Sequence, residues 1–310
     1  MTTSKQRHIL IVSHTGRRDS IDAALEVCAL LSAVAVAPVL PRDEYDDIRA
    51  AEPEFDGVEI LSEDVSIDDI ESVIVLGGDG TILRAAELVR GTRAPIVGVN
   101  LGHVGFLAES EREDLHDTVQ RVLVFDYEVE ERFALDVDVL VDGKRVFSTW
   151  ALNEATVEKA ARERMLEVVI EVDGRPLSSF GCDGVVMSTP TGSTAYNFSA
   201  GGPVVWPEVD AMILVPLSAH ALFARPLVVG PESSFAVEVL SRTDGSGVLW
   251  CDGRRAHTLE PGARVVARRS KKPVRLARLR RAPFTDRLVA KFHLPVTGWR
   301  GPQSPRTDGL

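Results

Sequence analysis

The first third of the chain alternates short apolar runs with segments in which apolar residues recur at helical spacing. Residues 8–13 and 34–39 predict strands, and a helical pattern capped by Asp19 connects them. Two further apolar runs, residues 72–76 and 95–100, have the continuous character of strands that are buried on both faces. Because strands that alternate with helices form parallel sheets with right-handed crossovers, this part predicts a doubly wound α/β fold.

Beyond about residue 125 the pattern changes to a period of two, which is typical of strands with one buried face. Strand-like segments cover residues 128–141, 145–157, 167–172, 185–188, 227–229, 235–240, 248–251 and 264–267. The pairs Asp142-Gly143 and Asp173-Gly174 predict hairpin turns between neighbouring strands. This part of the chain therefore predicts a β-rich second domain.

The two patterns divide the chain into a Rossmann-like α/β domain, residues 1–125, and a β-sandwich domain, residues 126–283. A helical pattern begins at Phe284, and we expect the segment 284–300 to return to the first domain. The acidic segment 41–66 contains Pro and Gly and is interpreted as a loop with short elements. The last ten residues are expected to be disordered.

Composition narrows the class of protein. Of the 310 residues, 45% are hydrophobic and 26% charged, which is neither a disordered nor a membrane composition. The longest apolar run near the N-terminus is residues 9–12, too short for a signal peptide, so a cytoplasmic location is expected. Three widely spaced cysteines, Cys28, Cys182 and Cys251, indicate buried thiols rather than a disulfide framework or a zinc site.

The net charge of −11 disfavours nucleic-acid binding, since a phosphate backbone demands a basic surface. Residues 43–71 are strongly acidic and residues 264–281 strongly basic, and both are interpreted as solvated faces or strand edges. An alternative for the basic stretch is that it helps to hold a polyphosphate donor.

The first candidate site is the run Gly77-Gly78-Asp79-Gly80-Thr81, between a predicted strand and a helix. Glycines let the backbone approach phosphate oxygens, and the free N–H groups of a helix start favour an anion. The run is neither a Walker A motif nor a GxGxxG fingerprint. An Asp in such a turn is unfavourable unless it accepts a proton from a hydroxyl or binds magnesium, although a helix cap is the simpler interpretation.

The second candidate site is a loop that begins at Asp183-Gly184 and continues through residues 188–197, rich in Gly, Ser and Thr and ending in Tyr196-Asn197. Small hydroxyls and exposed amides at this density suit a ribose and a pyrophosphate. A third motif, Asn153-Glu154, follows a predicted strand and means little alone. Beside the other two, its carboxamide and carboxylate suit a base edge and a ribose hydroxyl.

In this order, the segments resemble the NAD kinase family. The resemblance covers about residues 8–297 and is carried by the Gly-Gly-Asp-Gly-Thr run, residues 100–107, Asn153-Glu154, and residues 183–197. It implies a first domain like that of phosphofructokinases and diacylglycerol kinases, which share the glycine run. The segments 282–288 and 294–300 resemble actinobacterial members.

The resemblance also implies roles for individual residues. Asp79 would be the catalytic base that takes the proton of the adenosine 2′-hydroxyl of NAD, Gly78 and Gly80 would line the donor phosphates, and Arg84 would face those phosphates or form a surface ion pair. The residues implied for the dinucleotide pocket are Asn153, Glu154, Asp183, Thr191, Ser193, Thr194, Ala195 and Tyr196. ATP or polyphosphate would be the donor with Mg²⁺ bridging its phosphates, and the enzyme would be a homodimer or homotetramer.

One position suggests a relaxed choice of substrate. Family members that are selective for NAD tend to carry Arg two residues before the Asp of the second motif, and this chain has Gly181 there. The resemblance is then to members that accept NADH and sometimes polyphosphate.

Two other classes of protein stay open on the sequence alone. A lipid kinase would share the glycine run, but its second site should be apolar rather than rich in Ser and Thr. A dinucleotide-binding sensor would suit the Rossmann-like half, but it gains nothing from the charge of Asp79.

Overall fold

The computed structural model of the chain describes residues 6–102, 105–161, 165–243, 245–280 and 283–296. These residues form two compact units. Unit 1 takes in the described residues of Met1–Leu88, Ala94–Val129 and Ala277–Leu310, and unit 2 takes in those of Val89–Arg93 and Glu130–Leu276. An α/β unit and a β-rich unit confirm the predicted fold class.

The elements up to residue 132 are β1 His8–Ser13, α1 Arg18–Ser32, β2 Ala37–Leu40, α2 Arg42–Ala51, β3 Glu59–Ile60, β4 Ser72–Leu76, α3 Asp79–Leu88, β5 Ile96–Asn100, β6 Ser110–Glu111, α4 Leu115–Leu123 and β7 Glu128–Arg132. The elements after it are β8 Leu135–Val141, β9 Lys144–Ala151, β10 Glu154–Lys159, β11 Leu166–Val172, β12 Arg175–Cys182, β13 Gly184–Ser188, α5 Tyr196–Ser199, β14 Met212–Leu217, β15 Leu227–Val229, β16 Ser234–Val239, β17 Gly247–Cys251, β18 Arg255–Leu259, β19 Arg264–Arg269, β20 Val274–Arg278 and α6 Phe284–Phe292.

The sheet of unit 1 is built on parallel strands in the order β3-β2-β1-β4-β5, and β20 and β7 extend it beyond β5. Strands β4 and β5 are buried along their whole length, as their continuous apolar sequences predict. The chain builds β2 and β3 on one side of β1 and then places β4 on the other side. The carboxyl ends of β1 and β4 therefore form a topological switch point, where open α/β sheets bind their ligands.

Unit 2 contains two antiparallel sheets, whose strands alternate inward and outward residues. One sheet has the order β15-β14-β13-β10-β17-β18 and the other β12-β11-β16-β19-β8-β9. Their inward residues form one core, which includes Val157, Met187 and Leu249 from the first sheet and Val168 and Val237 from the second. This is the sandwich that the period-two pattern predicts.

Four local predictions were wrong. The segment interpreted as a loop contains helix α2, which is anchored by fully buried Ile48 and Glu44. Its short apolar stripe and many acids hide the helical period. The predicted strand 128–141 is two strands, broken at Phe133 and Ala134. The predicted strand 145–157 is likewise two strands, β9 and β10, broken at Leu152 and Asn153. Arg17 rather than Asp19 occupies the N-cap of α1.

The expectation about the three cysteines is confirmed. Cys28, Cys182 and Cys251 are free and buried. The basic stretch forms β19 and β20, and its arginines pair with acids of other strands. Arg268 pairs with Asp138 and Arg275 with Glu131 on adjacent strands, whereas Arg264 pairs with Glu171 on β11, two strands away. Over the described part of the chain, none of the helices has the length and apolar character needed to cross a bilayer.

Candidate functional site

Asp79 is the first residue of α3 and lies in the crevice of unit 1 at the end of β4. The loop after β5 closes onto its side chain. The backbone N–H of Phe106 donates to Oδ2 and that of Leu107 to Oδ1, both at 3.0 Å. A Cβ at Gly105 would lie 2.4 Å from Oδ1, so the loop approaches as closely as glycine allows. Asp79 as a whole is half-buried.

The glycine turn before α3 leaves open surface at the helix start. A Cβ at Gly77 would come within 2.5 Å of Thr81 Oγ1, which requires glycine. Gly78 and Gly80 are exposed, and a Cβ at either would meet nothing within 4 Å. The exposed backbone of the glycines in this turn, at a helix N-terminus, favours an anion.

Arg84, predicted to face phosphates or to form a surface ion pair, forms a partly buried ion pair. Its guanidinium contacts the carboxylate of Glu44, which is fully buried on α2, and lies 3.4 Å from Asp43. Glu44 also accepts the N–H of Ser13 at 2.6 Å and the Ser13 hydroxyl at 2.8 Å. Burial raises the pKa of Glu44 to about 7, against the opposing effect of Arg84. Glu44 therefore ties Arg84 to the end of β1, beside the glycine turn.

In unit 2 the structure brings Asn153-Glu154 and the Ser/Thr-rich loop together. The N–H of Thr189 donates to the carbonyl of Asn153 at 2.9 Å, and the Thr189 hydroxyl donates to the carbonyl of Leu152 at 2.5 Å. A Cβ at Gly192 would lie 2.0 Å from the Asn153 carbonyl oxygen. The two motifs, far apart in sequence, are thus packed backbone against backbone.

The loop itself is held by its own hydroxyl and amide groups. Ser193 is fully buried, and its hydroxyl donates to the carbonyl of Val205 at 3.1 Å and accepts the N–H of Val205 at 3.0 Å. Buried Asn197 donates to the carbonyls of Ser193 and Pro203, both at 3.1 Å. Tyr196 is 39% exposed. The Ser193 hydroxyl is therefore engaged inside the loop, whereas the Tyr196 ring is accessible.

The remaining residues predicted for the dinucleotide pocket range from buried to half-buried. Thr191 is buried, with its hydroxyl 3.5 Å from the guanidinium of Arg132, and Thr194 and Ala195 are half-buried. The short 3₁₀ helix Thr191–Thr194 leads into α5.

Glu154 is a buried carboxylate beside a second buried carboxylate, Asp252. Oε2 of Glu154 has no hydrogen-bond partner among the described residues. Burial and the charge of Asp252 raise the pKa of Glu154 to about 8, and the backbone N–H of Tyr196 opposes this. A carboxyl group in such a place is protonated at neutral pH and can donate a hydrogen bond as well as accept one.

Asp252 is a residue that the sequence analysis missed. It lies in the turn after β17 and accepts the backbone N–H groups of Leu152, Asn153 and Glu154 at 2.9, 2.7 and 3.3 Å. Arg255 pairs with it at 2.8 Å. Its Asp-Gly sequence after a strand indicates only a hairpin turn, so nothing local points to this role.

Gly181 lies on β12, and Asp183 lies between β12 and β13, the strand that leads into the Ser/Thr-rich loop. Asp183 pairs with Lys159 at 2.5 Å, and its hydrogen bonds with Lys159 and Ser218 lower its pKa. A Cβ at Gly181 would lie 2.1 Å from the sulfur of Met165. The space that a larger residue would use at position 181 is thus occupied by Met165.

The predicted residues fall into two groups. Asp79, Gly78, Gly80 and Arg84 lie together in unit 1, and the predicted pocket residues from Asn153 to Tyr196 lie in unit 2. His103 and Val104 of the 100–107 motif, residues 281–282 and residues 297–310 lie outside the described residues.

Comparison with known proteins gives the family of each half of the chain. Residues 9–127 match the ATP-NAD kinase N-terminal domain, and residues 152–279 match the ATP-NAD kinase C-terminal domain. An NAD kinase of Leifsonia xyli subsp. xyli is 69% identical over 297 residues, which cover 96% of this chain and 98% of the relative. An NAD kinase of Thermobifida fusca is 56% identical over 308 residues, which cover 98% of this chain and 94% of the relative.

Two solved structures share the fold. A yeast NADH kinase complexed with NADH matches with a TM-score of 0.86 and 20% identity, covering 97% of this chain and 91% of that one. An NAD kinase from Archaeoglobus fulgidus in complex with ATP matches with a TM-score of 0.67 and 24% identity, covering 93% of this chain and 99% of that one. These likenesses support the two-domain architecture.

Proposed function

The chain belongs to the ATP-NAD kinase family, and on that premise we propose that it transfers the terminal phosphoryl group of ATP to the adenosine 2′-hydroxyl of NAD, giving NADP and ADP. The observation that carries this proposal is the carboxylate of half-buried Asp79, fixed by two backbone amides beside an open glycine turn. A sensor has no use for a carboxylate beside phosphates, whereas a kinase needs a proton acceptor there.

Asp79 acts as the proton acceptor. A ribose hydroxyl is a weak acid, so its oxygen attacks the γ-phosphorus as its proton is taken up. A carboxylate oxygen has two lone pairs, so one that accepts an amide hydrogen bond can still accept this proton. The bond from phosphorus to the β–γ bridging oxygen breaks, ADP leaves, and Asp79 later releases the proton to solvent. The amides keep the carboxylate oriented throughout, which reduces the cost of reorganisation.

The donor phosphates bind at the start of α3. Gly78 and Gly80 offer unobstructed backbone, the helix N-terminus attracts negative charge, and Arg84 adds a cation one turn further along. Because Arg84 is already paired with buried Glu44, it contributes a fixed rather than a mobile charge.

The dinucleotide binds at the packed motifs of unit 2. We assign the unpartnered Oε2 of Glu154 to a ribose hydroxyl and the side chain of Asn153 to the same nucleoside. Asp183, Thr191, Thr194, Ala195 and the exposed ring of Tyr196 complete the pocket. Ser193 contributes through its backbone, since its hydroxyl is bonded to Val205.

We propose further that Mg²⁺ accompanies the donor. The described residues contain no group of three or more His, Cys, Asp or Glu side chains placed to hold a metal ion. This fits a cation held mainly by phosphate oxygens. When bound, Mg²⁺ neutralises charge that develops on the phosphates. A cytoplasmic location and a homodimer or homotetramer are part of the same proposal, as are the functional domains 1–125 with 284–300 and 126–283.

Gly181 supports a choice of substrate beyond NAD and ATP. Without an arginine at this position we expect NADH, and inorganic polyphosphate as donor, to be used as well. Rates with NAD and NADH, each with ATP and with polyphosphate, test this. A large preference for NAD over NADH contradicts it.

The proposed activity is tested by NADP formation, read by an NADP-specific dehydrogenase, in wild type and Asp79→Asn. We expect the variant to keep its unfolding temperature and to lose at least about 100-fold in kcat, the contribution of general base catalysis. Near-normal turnover would remove Asp79 from its role, and wild type that binds NAD without forming NADP would be a sensor.

A further inference from the structure

Helix α6, near the end of the described chain, packs on the loop that holds Asp79. The ring of Phe106 packs against the rings of both Phe284 and Phe292, with its centroid 5.8 Å from each of theirs. Phe106 is buried. Residues from opposite parts of the sequence thus form one aromatic cluster within unit 1, and the peptide of Phe106 is fixed by it.

Arg287 reaches from the middle of α6 to the same loop. Its guanidinium donates to the backbone carbonyl of Phe106 at 2.8 Å and to that of Ala108 at 3.0 Å, and it pairs with Glu109 at 2.5 Å. The Glu109 side chain is 2% exposed and is held in turn by Arg278 at 3.0 Å. A planar guanidinium can bind several acceptors in one fixed geometry, which an ammonium group cannot do.

One residue links this cluster to the reacting carboxylate. The carbonyl of Phe106 accepts from Arg287, and the N–H of Phe106 donates to Oδ2 of Asp79. The next residue, Leu107, donates to Oδ1. The orientation of both amides depends on the segment that Arg287 grips at Phe106 and Ala108.

We propose that Arg287 is a positioning residue for phosphoryl transfer, because it fixes the loop whose two amides orient the carboxylate of Asp79. The proposal rests on the function proposed above for Asp79. It differs from a role in stability alone, because it predicts that the effect of Arg287 on turnover passes through Asp79.

The test uses the full chain with Arg287→Gln, Arg287→Lys and a matched control, Arg18→Gln. Arg18 lies on α1 in exposed ion pairs with Asp22 and Glu52, far from the loop in sequence. For each variant kcat, the KM values for NAD and ATP, the unfolding temperature and the hydrogen exchange of the Phe106 and Leu107 amides are measured. If Arg287→Gln does not fold, the test relies on Arg287→Lys, which keeps the charge.

We expect Arg287→Gln to lower kcat on the order of 10- to 100-fold with little change in either KM, since a misplaced catalytic group loses rate rather than affinity. Its Phe106 and Leu107 amides exchange faster than in wild type. Arg287→Lys recovers part of the rate, and Arg18→Gln equals wild type. A wild-type kcat in Arg287→Gln, or unchanged exchange at the two amides, overturns the proposal.

A double-mutant cycle separates positioning from general destabilisation. In an Asp79→Asn background, Arg287→Gln should cause no further loss of the residual rate, because the carboxylate that it positions is gone. An additional loss as large as in wild type means that Arg287 acts elsewhere. If Asp79→Asn itself turned over normally, the proposed function would fail, while the amide exchange would still report whether Arg287 fixes the loop.

Discussion

The carboxylate of Asp252 accepts the backbone N–H of Asn153 at 2.7 Å, across 99 positions of sequence. The neighbouring amides of Leu152 and Glu154 also donate to Asp252, so Asp252 anchors the whole turn that carries Asn153 and Glu154. Arg255 offsets its charge. The geometry of that turn is therefore set by a side chain outside it.

Asp252→Asn is expected to weaken the binding of NAD. An amide keeps the size of the carboxylate, but one of its two acceptors becomes a donor facing backbone N–H groups. We expect KM for NAD to rise about 10-fold, the cost of leaving one buried donor unpaired, with kcat little changed. Steady-state kinetics at saturating ATP measure this. The control is Asp142→Asn, a hairpin-turn Asp with similar positive φ that is exposed. Equal KM values in the two variants would contradict the prediction.

Glu154 is expected to make the protein less stable as the pH rises. Its pKa is about 8 in the folded chain, against an ordinary value of 4.5. The folded state therefore binds more protons than the unfolded state between these values, and the free energy of unfolding falls with pH there, by at most about 1.4 kcal/mol per pH unit. Urea unfolding at pH 5 and pH 8 measures it. In Glu154→Gln this part of the slope disappears, and an unchanged slope would show that Glu154 is not the group.

Arg84→Gln is expected to destabilise the chain more at high pH than at low pH. Arg84 lowers the pKa of Glu44, which burial holds at about 7, so its loss leaves a buried carboxylate unpaired once ionised. The loss of stability should be about 2 kcal/mol at pH 8 and smaller at pH 5.5, where Glu44 is protonated. KM for ATP should rise as well. Arg42→Gln, which breaks an exposed pair with Glu63 on the same unit, is the control and should be neutral. A loss of stability that is the same at both pH values would contradict the role of ionised Glu44.

Gly192→Ala is expected to disrupt the packing between the two motifs of unit 2. The new methyl group would lie 2.0 Å from the carbonyl oxygen of Asn153, and backbone atoms cannot move aside cheaply. Overpacking of this kind should cost at least about 2 kcal/mol of unfolding free energy. Thermal unfolding compares it with Gly230→Ala, where a Cβ meets nothing within 4 Å. Similar unfolding temperatures for both variants would mean that the contact is not tight.

The two-unit fold and the grouping of site residues could be predicted because their signals are local. Continuous apolar runs gave β4 and β5, period-two alternation gave the sandwich strands, and glycine-rich turns indicated where ligands bind. The contacts of the site could not be predicted in the same way. Glu44, which fixes Arg84, lies on a helix whose acidic surface conceals its apolar period.

Asp252 and Arg287 were missed for a related reason. Each acts on a backbone segment far away in sequence, and a single sequence carries no record of such pairings. The Asp-Gly pair at 252 resembles those at 142 and 173, which lie at hairpin turns. Arg287 is one of several arginines near the end of the described chain, and only the fold distinguishes the one that reaches Phe106.

The contact of α6 with the loop after β5 also bears on the order in which the parts of the chain fold during synthesis. Arg287 and Phe106 are 181 positions apart, so a growing chain completes the whole sandwich before the helix that secures the loop is made. Until then the loop proposed to bind the dinucleotide can already form, whereas the loop that orients Asp79, the proposed proton acceptor, is not yet held by Arg287. A chain truncated before α6 is thus expected to bind NAD without phosphorylating it.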